Sequence, residues 1–352
     1  MNEKIRKICT AAKKQHIDVL LITSSANISY LTGYPSRDSW LLVSADKCFY
    51  LTDSRYGEEA KQCLKGICVE QVDCKLFARL GDICRKLNAG CVGFEERFLS
   101  YAEYTHIRKA LPESAGLVPT VGLVEELRRI KTAAEILAIR QATAIAVKAF
   151  RFACSIARPG LREVELAGEM ERFIRFHGAA CASFPIIVAS GPNSSYPHHL
   201  TSERKLKERE PVLIDLGVEY KGYKSDLTRV ILLGKIKPSI RRIYDIVLEA
   251  QARAIAAVRP HAAAGDIDRA ARDYIAQKGF GGCFGHGTGH GIGLEVHEEP
   301  RIGTKQTVKL QPGMVFTVEP AIYLPGQFGI RLEDMVLVTE KGRKVLSGAL
   351  DK

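Results

Sequence analysis

The sequence predicts two domains, an α/β domain followed by an α+β domain in which one helix–helix–strand–strand unit is used twice. Three observations lead to this prediction. At 352 residues the chain exceeds the length that one hydrophobic core usually serves. Strand and helix patterns alternate over the first 120 residues, which is typical of a small layered α/β domain. Beyond them, two pairs of helical patterns end at markers that are displaced by 101 residues.

The elements of the first domain follow from local apolar periodicity. Helical patterns are expected at residues 3–15, 56–65 and 101–111, and strand patterns at 18–23, 40–52 and 91–94. The polar, proline-containing stretch 112–122 is the predicted boundary. The predicted domains are therefore residues 1–122 and 123–352.

The repeat organises the second domain. A long helix is expected from about Thr132 to Ala157, and Pro159-Gly160 ends it. The first helix of each pair ends at Arg-Pro, at 158 and 259, and the second helix ends before a glycine, at 178 and 279. A histidine-bearing stretch and a strand with a carboxylate follow each pair. We therefore expect a pseudo-two-fold domain with its site between the halves.

Composition places the chain among ordinary globular proteins, with 46% hydrophobic and 26% charged residues. No stretch approaches the roughly 20 apolar residues that span a bilayer, so no membrane association is expected. The charged start is not followed by an apolar run and a cleavage site. We expect a cytoplasmic protein.

A charge of +11 could indicate nucleic-acid binding, and ten cysteines could indicate disulfides, but the sequence favours neither. Lysine and arginine are scattered along helical stretches instead of forming a basic tract with aromatic residues, which argues against nucleic acid as a partner. Seven cysteines precede residue 92 without zinc-type spacing. Reduced, mostly buried thiols are expected.

Four carboxylates lie in apolar, strand-like surroundings: Asp215, Asp226, Glu319 and Glu333. Burying an ionised carboxylate costs several kcal/mol unless a cation or hydrogen-bond donors compensate it. A turn near residues 221–222 would set Asp215 opposite Thr228, with Asp226 two residues away on the same sheet face. Glu319 and Glu333 are symmetric about Gly326, so a broad loop over residues 320–329 would bring them opposite each other. The alternative is a set of structural ion pairs with arginine and lysine.

His290 completes the candidate ligand set, in a stretch with five glycines that lets the backbone approach a site closely. Four carboxylates and one imidazole suit two metal ions roughly 3.5–4 Å apart, with two carboxylates bridging. Oxygen-rich ligation favours Mn²⁺, with Co²⁺, Fe²⁺ and Zn²⁺ as alternatives. Two such ions lower the pKa of a bridging water and supply hydroxide near neutral pH. Hydrolysis is the expected reaction class.

Two more histidines, His198 and His297, lie 99 residues apart, at nearly equivalent places in the repeat. Neither has carboxylates at ligand spacing, and both are candidates to donate hydrogen bonds to a substrate carbonyl as negative charge develops on its oxygen. Three other histidines are interpreted as ordinary surface or core residues: His199, His261 and His286.

Taken together, the motifs resemble the pita-bread metallopeptidases, and within them the Xaa-Pro peptidases, prolidase and aminopeptidase P. The ordered set is Val-Leu-Ile-Asp215-Leu-Gly, Tyr-Lys-Ser-Asp226-Leu-Thr-Arg, Gly-Thr-Gly-His290-Gly-Ile-Gly-Leu-Glu-Val-His297-Glu, Thr-Val-Glu319-Pro and Gly-Ile-Arg331-Leu-Glu333-Asp. The resemblance extends to Lys131-Thr-Ala-Ala-Glu135 and, in a creatinase-like N-terminal domain, to residues 27–33 and 51–56.

The resemblance implies a role for each site residue. Asp215 would bind one metal ion, His290 and Glu319 the other, while Asp226 and Glu333 bridge. Glu319 would also shuttle a proton, His198 would contact the substrate, and His297 would steady the tetrahedral intermediate. Arg331 would orient a carboxylate.

The implied activity is metal-dependent hydrolysis of the Xaa-Pro bond, which releases the residue ahead of proline by means of a metal-bridging hydroxide. That bond lacks an N–H and is conformationally constrained, so general peptidases handle it poorly. In the family the first domain commonly covers the site of a neighbouring subunit, which implies a homodimer or homotetramer. The alternatives are a pita-bread homologue with a non-peptidase role, such as nucleic-acid binding, and a different aminopeptidase specificity. Relatives often carry glycine where His199 stands, a departure that touches no ligand.

Overall fold

In the computed structural model, which describes residues 2–350, the chain divides into two units, one reaching Arg128 and the other starting at Arg129. A unit defined by internal contacts need not coincide with a folding domain. The boundary between 122 and 123 therefore stays a prediction.

The first unit alternates helices and strands along the chain. Its helices are α1 (Glu3–Lys14), α2 (Ser25–Thr32), α3 (Gly57–Cys63), α4 (Leu76–Lys86) and α5 (Tyr101–Ala110), and α6 (Leu123–Arg129) ends at the first residue of the second unit. Its strands are β1 (Val19–Ile22), β2 (Ser39–Ser44), β3 (Cys48–Thr52), β4 (Cys68–Gln71), β5 (Cys91–Glu95) and β6 (Gly116–Thr120).

One mixed sheet organises these elements, with strand order β4-β3-β2-β1-β5-β6. β1 is apolar and buried at every position, as a central strand covered on both faces requires. The α/β prediction for this part is confirmed. The range 40–52 proved to be the hairpin of β2 and β3, while α2, α4, β4 and the edge strand β6 had not been predicted.

The second unit contains two helix pairs. Their helices are α7 (Ala133–Ile156), α8 (Glu163–Phe176), α9 (Pro238–Ala257) and α10 (Ala264–Gln277). α7 begins where predicted because Thr132 and Glu135 form a capping box, each side chain bonding the other's backbone N–H.

The predicted repeat is confirmed by the ends of these helices. The C-caps of α7 and α9 are Ala157 and Val258, and those of α8 and α10 are His177 and Lys278, each pair displaced by 101 residues. Isolated antiparallel bridges precede the second helix of each pair, at Arg162 and at Ala263. The unit is therefore pseudo-two-fold, as the sequence predicts.

Strands follow each helix pair. They are β7 (Cys181–Ala182), β8 (Ile187–Ser190), β9 (Pro211–Leu216), β10 (Val218–Tyr220), β11 (Tyr223–Lys224), β12 (Leu227–Leu232), β13 (Gly289–Gly291), β14 (Glu298–Ile302), β15 (Val315–Val318), β16 (Ala321–Leu324), β17 (Phe328–Arg331), β18 (Asp334–Thr339) and β19 (Gly342–Val345). Short 3₁₀ helices span Gly191–Ser195 and Gly281–Cys283.

The strands form small sheets with the orders β12-β9-β8, β14-β13-β15-β18-β19, β11-β10-β7 and β16-β17. The α7–α8 pair packs on apolar side chains such as Val188 and Ile214. The α9–α10 pair packs on side chains such as Phe316 and Val336. Ile139 of α7 also packs with Val315 and Met335 of the second half, so the two halves share apolar contacts.

The cysteines are all present as free thiols in the structure. The expectation that they are mostly buried was wrong, because only Cys48 and Cys84 are buried and several others are exposed. Over the described range, residues 2–350, no helix has both the length and the apolar character needed to cross a membrane.

Candidate metal centre

The first pair of predicted ligands lies at the ends of β9 and β12. These strands are antiparallel, and Asp215 lies opposite Thr228, as the sequence predicts. The turn contains Lys221 and Gly222 with φ of 50° and 79°, a left-handed pair that suits a tight hairpin. The hairpin is interrupted, since β10 pairs with β11 and with β7 in a separate small sheet. Asp226 therefore lies just before β12, beside Asp215 at the same end of the sheet.

The second pair, Glu319 and Glu333, flanks a strand hairpin. The predicted broad loop was wrong, because residues 321–331 form β16 and β17 with Ala321 opposite Arg331. β15 and β18 continue the same register, with Val318 opposite Asp334. The two glutamates lie between these pairings and face each other, as their symmetry about Gly326 predicts.

His290 lies on β13, between β14 and β15. Glycines permit this close packing: a Cβ on Gly289 would lie 1.9 Å from the Thr317 carbonyl oxygen, and one on Gly291 would lie 2.2 Å from that of Glu299. The Nδ1–H of His290 donates to the Gly291 carbonyl oxygen over 3.1 Å. Nε2 is therefore the nitrogen left to accept a proton or a metal ion.

The structure brings the five predicted ligands together. One ligand atom each from Asp226, His290 and Glu333 lies within 4.8 Å of the others. Nε2 of His290 is 3.3 Å from Oε1 of Glu319 and 3.7 Å from Oδ2 of Asp226. Asp215 lies outside that triad but is close enough to Asp226 and Glu319 for each to influence the other's charge.

Unsatisfied oxygens show that these residues fit a cation. Within residues 2–350, Oδ1 of Asp215 and Oε1 of Glu333 are buried and accept no hydrogen bond. Orphaned buried acceptors are rare in folded proteins and indicate a missing partner. Carboxylate oxygens and an imidazole nitrogen are ligands that divalent first-row metal ions accept.

Electrostatics leads to the same conclusion. Burial first, and neighbouring carboxylates second, raise the pKa values of Asp226 and Glu333 well above their usual range. Burial also raises the pKa of Asp215, which the Arg331 guanidinium opposes. A cation placed among these groups would remove the repulsion and release their protons.

Glu319 and His290 form a close pair, with 3.3 Å between Oε1 and Nε2. Burial opposes charge on both groups, but their hydrogen bond outweighs it. The pKa of His290 is consequently raised and that of Glu319 lowered. Thr317 links them further, since its Oγ1 donates to Glu319 over 3.1 Å and accepts from the His290 N–H over 3.1 Å.

Arg331 connects the two carboxylate pairs. It donates to Oδ2 of Asp215 over 2.6 Å and to Oγ1 of Thr228 over 3.1 Å. Thr228 in turn donates to Oε2 of Glu333 over 2.7 Å. Arg331 also donates to the Tyr323 hydroxyl over 2.7 Å. The arginine thus orients one carboxylate directly and another through a threonine.

Tyr323 was not among the residues predicted from the sequence, and His286 was interpreted as an ordinary surface or core residue. The Tyr323 hydroxyl donates to Nε2 of His286 over 3.1 Å, so His286 belongs to the Arg331 network. Burial lowers the pKa of His286, which favours the neutral imidazole that this bond requires. Hairpin register could have identified Tyr323, because it is a diagonal neighbour of Arg331 across β16 and β17.

The two other predicted histidines lie at the edge of this cluster. The rings of His297 and His290 are 4.3 Å apart at their centroids. Burial, followed by the charge of His290, lowers the pKa of His297. His198 is exposed in a turn after the first 3₁₀ helix, close enough to His297 to affect its charge. His261 is exposed.

The motif at the start of the second unit holds two segments of the site. The Lys131 ammonium forms an ion pair of 2.7 Å with Glu298, the neighbour of His297, and both side chains are buried. Tyr223 lies three residues before Asp226, and its hydroxyl donates to Oε1 of Glu135 over 2.8 Å. The motif therefore fixes the strands that deliver a ligand and a candidate catalytic histidine.

Comparisons with known proteins cover both parts of the chain. Residues 138–340 match metallopeptidase family M24, and residues 4–130 match the creatinase/prolidase N-terminal domain. The structure is similar to that of an Xaa-Pro dipeptidase from Bacillus anthracis, with a TM-score of 0.96, 38% identity and coverage of 99% of this chain and 98% of the other.

Two Pyrococcus proteins are also similar. The prolidase from Pyrococcus horikoshii OT3 has a TM-score of 0.93 and 34% identity, with 98% of each chain covered. An Xaa-Pro dipeptidase from Pyrococcus furiosus is 37% identical over 350 residues, which are 99% of this chain and 98% of that protein.

Proposed function

The chain belongs to metallopeptidase family M24 and carries a creatinase/prolidase N-terminal domain, and from this membership we propose that it hydrolyses Xaa-Pro dipeptides. Similar proteins over nearly the whole chain are named Xaa-Pro dipeptidase or prolidase. The observation that carries the proposal is the cluster of Asp226, His290 and Glu333, with Glu319 beside His290.

The proposed centre holds two divalent ions. Asp215 would bind one ion, His290 and Glu319 the other, and Asp226 and Glu333 would bridge them. The orphaned oxygens of Asp215 and Glu333 support this assignment. When bound, such ions supply hydroxide near neutral pH by lowering the pKa of a water molecule.

The protein's own residues would manage protons and charge. Glu319, whose pKa is lowered, is ionised at neutral pH and suits a base that carries a proton from water to the departing proline nitrogen. His297, whose pKa is lowered, is neutral and can donate an N–H to the oxyanion. His198, exposed at the same edge, would contact the substrate.

The proposal also includes the native metal ion, the oligomeric state and the cellular location. Mn²⁺ is proposed as the native metal ion because oxygen ligands predominate. A homodimer or homotetramer follows from the resemblance to prolidase and aminopeptidase P. A cytoplasmic location is consistent with the free cysteines.

The alternatives receive less support. The similar proteins from Bacillus anthracis, Pyrococcus horikoshii and Pyrococcus furiosus are named dipeptidases or prolidases, so aminopeptidase specificity is not favoured. A non-peptidase role, such as nucleic-acid binding, would not require five intact ligand positions with unsatisfied buried oxygens.

A direct comparison of substrates tests the proposal. Proline release from an Xaa-Pro dipeptide would be measured with added Mn²⁺ beside cleavage of an Xaa-Pro-Yaa tripeptide and of an Xaa-Ala dipeptide. We expect the first reaction to have the highest kcat/KM. Preference for the tripeptide would support the aminopeptidase alternative, and equal cleavage of the Xaa-Ala dipeptide would contradict proline specificity.

A further inference from the structure

One buried carboxylate accepts hydrogen bonds from several residues of the segment that links β8 to β9. Glu163, the first residue of α8, has no exposed surface. Its oxygens accept hydrogen bonds from Ser190 N and Oγ (2.7 Å each), Asn193 Nδ2 (3.1 and 3.2 Å), His199 Nε2 (3.0 Å) and Ser202 N and Oγ (3.1 and 2.6 Å). Every one of these donors lies in residues 190–202, the segment that carries His198.

The opposite side of this segment is fixed to β17. The Gly329 N–H donates to Oγ of Ser194 over 2.8 Å, and a Cβ at Gly329 would lie 2.1 Å from the Ser194 carbonyl oxygen. Arg331 donates to the Pro197 carbonyl oxygen over 3.2 Å. His198 therefore lies between two anchors, one on α8 and one on the strand that ends at Arg331.

His199 is the link closest to His198. Its side chain is only 12% exposed and its Nε2 bonds the buried carboxylate, so it is directed into the protein while its neighbour His198 is exposed. We propose that His199 is a positioning residue, whose hydrogen bond to Glu163 fixes the direction in which His198 reaches toward the substrate. This inference rests on the proposed function for the role of His198, although the geometry stands without it.

The other half of the repeat contains a comparable device. Asp268 on α10 is fully buried and accepts from Thr288 N (3.1 Å) and Oγ1 (2.8 Å), two residues before His290. Arg272 adds two further bonds to the same carboxylate, at 2.8 and 2.9 Å. In each half a buried helix carboxylate thus holds the segment that carries a site histidine.

Replacing His199 with side chains of different length and hydrogen-bonding ability tests this role. His199→Gln places an amide N–H near the Nε2 position, whereas His199→Asn carries the same group on a shorter chain, and His199→Ala has none. We expect kcat for the Xaa-Pro dipeptide to fall by about 10- to 100-fold in the Ala and Asn variants, because small misplacements of a catalytic group are costly. The Gln variant should keep most of the wild-type kcat.

A double-mutant cycle separates positioning from general structural support. In a His198→Ala background, His199→Ala should lower kcat by less than about twofold, because the side chain that His199 positions is already absent. His177→Ala is the matched control, since its ring bonds a carbonyl oxygen of its own helix and is exposed. Equal effects of His199→Ala with and without His198 would overturn the proposal.

A readout independent of activity keeps the two proposals distinguishable. In ¹⁵N-histidine NMR spectra, ring signals of His198, assigned from their loss in His198→Ala, should shift in the Asn variant and stay near wild type in the Gln variant. Unchanged signals in the Asn and Ala variants would overturn the positioning role. A wild-type protein that releases no proline would overturn the proposed function, and the NMR comparison would still decide the role of His199.

Discussion

Arg331 and Asp215 form an ion pair with 2.6 Å between Nη2 and Oδ2, and their side chains are only 4% and 13% exposed. Removing one partner of such a pair leaves the other charge buried and uncompensated. Because the same guanidinium reaches Glu333 through Thr228, two candidate ligands depend on it.

Arg331→Lys is therefore expected to weaken metal binding. A lysine keeps the charge but cannot reproduce the fork that reaches Asp215, Thr228 and Tyr323 at once. We expect Mn²⁺ affinity to fall by about 10- to 100-fold, the usual effect of losing a group that orients a ligand. Calorimetric titration of the metal-free protein would measure it. Arg241→Lys, at an exposed ion pair on α9, is the control, and wild-type affinity in Arg331→Lys would be inconsistent with this role.

Asp226→Ala should abolish metal binding without unfolding the metal-free protein. The raised pKa of Asp226 reflects burial and repulsion by Glu333 and Asp215. Removing the carboxyl group relieves that cost, so the metal-free variant should unfold at or above the wild-type temperature. Turnover should be lost with the metal.

Metal analysis, thermal unfolding and proline release would be compared with Asp245→Ala, which removes an exposed carboxylate on α9. Full activity of Asp226→Ala would refute the assignment of this residue to the metal centre.

His297→Ala should lose turnover while keeping its metal. The His297 ring lies 4.3 Å from that of His290, but it has no place in the ligand set proposed here. Loss of a preorganised donor to an oxyanion typically lowers kcat by about 10²- to 10³-fold. His106→Ala, in the first unit, removes an exposed ring that hydrogen-bonds Ala102 of its own helix and stacks on Phe77, and its turnover and metal content should match wild type. Loss of metal from His297→Ala would instead make His297 a ligand.

Of all features of the site, the pairing of candidate ligand residues across strands was predicted best from the sequence. A hairpin's turn fixes which residues face each other, so the pairings of Asp215 with Thr228 and of Glu319 with Glu333 could be derived from local sequence. The helix ends of the repeat were equally predictable, because capping residues and Arg-Pro markers act locally.

Interactions between distant segments could not be predicted in this way. Glu163 bonds residues that lie 27 to 39 positions away, and neither its helix pattern nor theirs indicates the partner. Strand content within residues 320–329 was also missed, because glycine and proline there suggest a loop although Ile322 and Phe328 pack in the core.

Glu163 also predicts how stability depends on pH. Burial raises its pKa, but hydrogen bonds from Ser202, Ser190 and His199 outweigh burial and hold it below the ordinary 4.5. The folded state therefore binds fewer protons here than the unfolded chain. The resulting stabilisation is present above the unfolded pKa and is lost as pH falls through the folded pKa.

Glu163→Gln should accordingly be less stable than wild type at pH 7, and the difference should narrow as pH falls below about 4.5. Urea unfolding at several pH values would measure both free energies. Glu208→Gln, at an exposed position, should follow wild type at every pH. A difference that stays constant or widens toward acid pH would show that the charge of Glu163 does not contribute to stability.

The most direct measurement for the metal centre is a titration of metal-free protein with Mn²⁺, following proline release from an Xaa-Pro dipeptide and bound metal per chain together. We predict no release before metal is added and a plateau as the chain binds a second ion. Dipeptide hydrolysis by protein shown to contain no metal would contradict the account, as would a chain that binds no divalent ion.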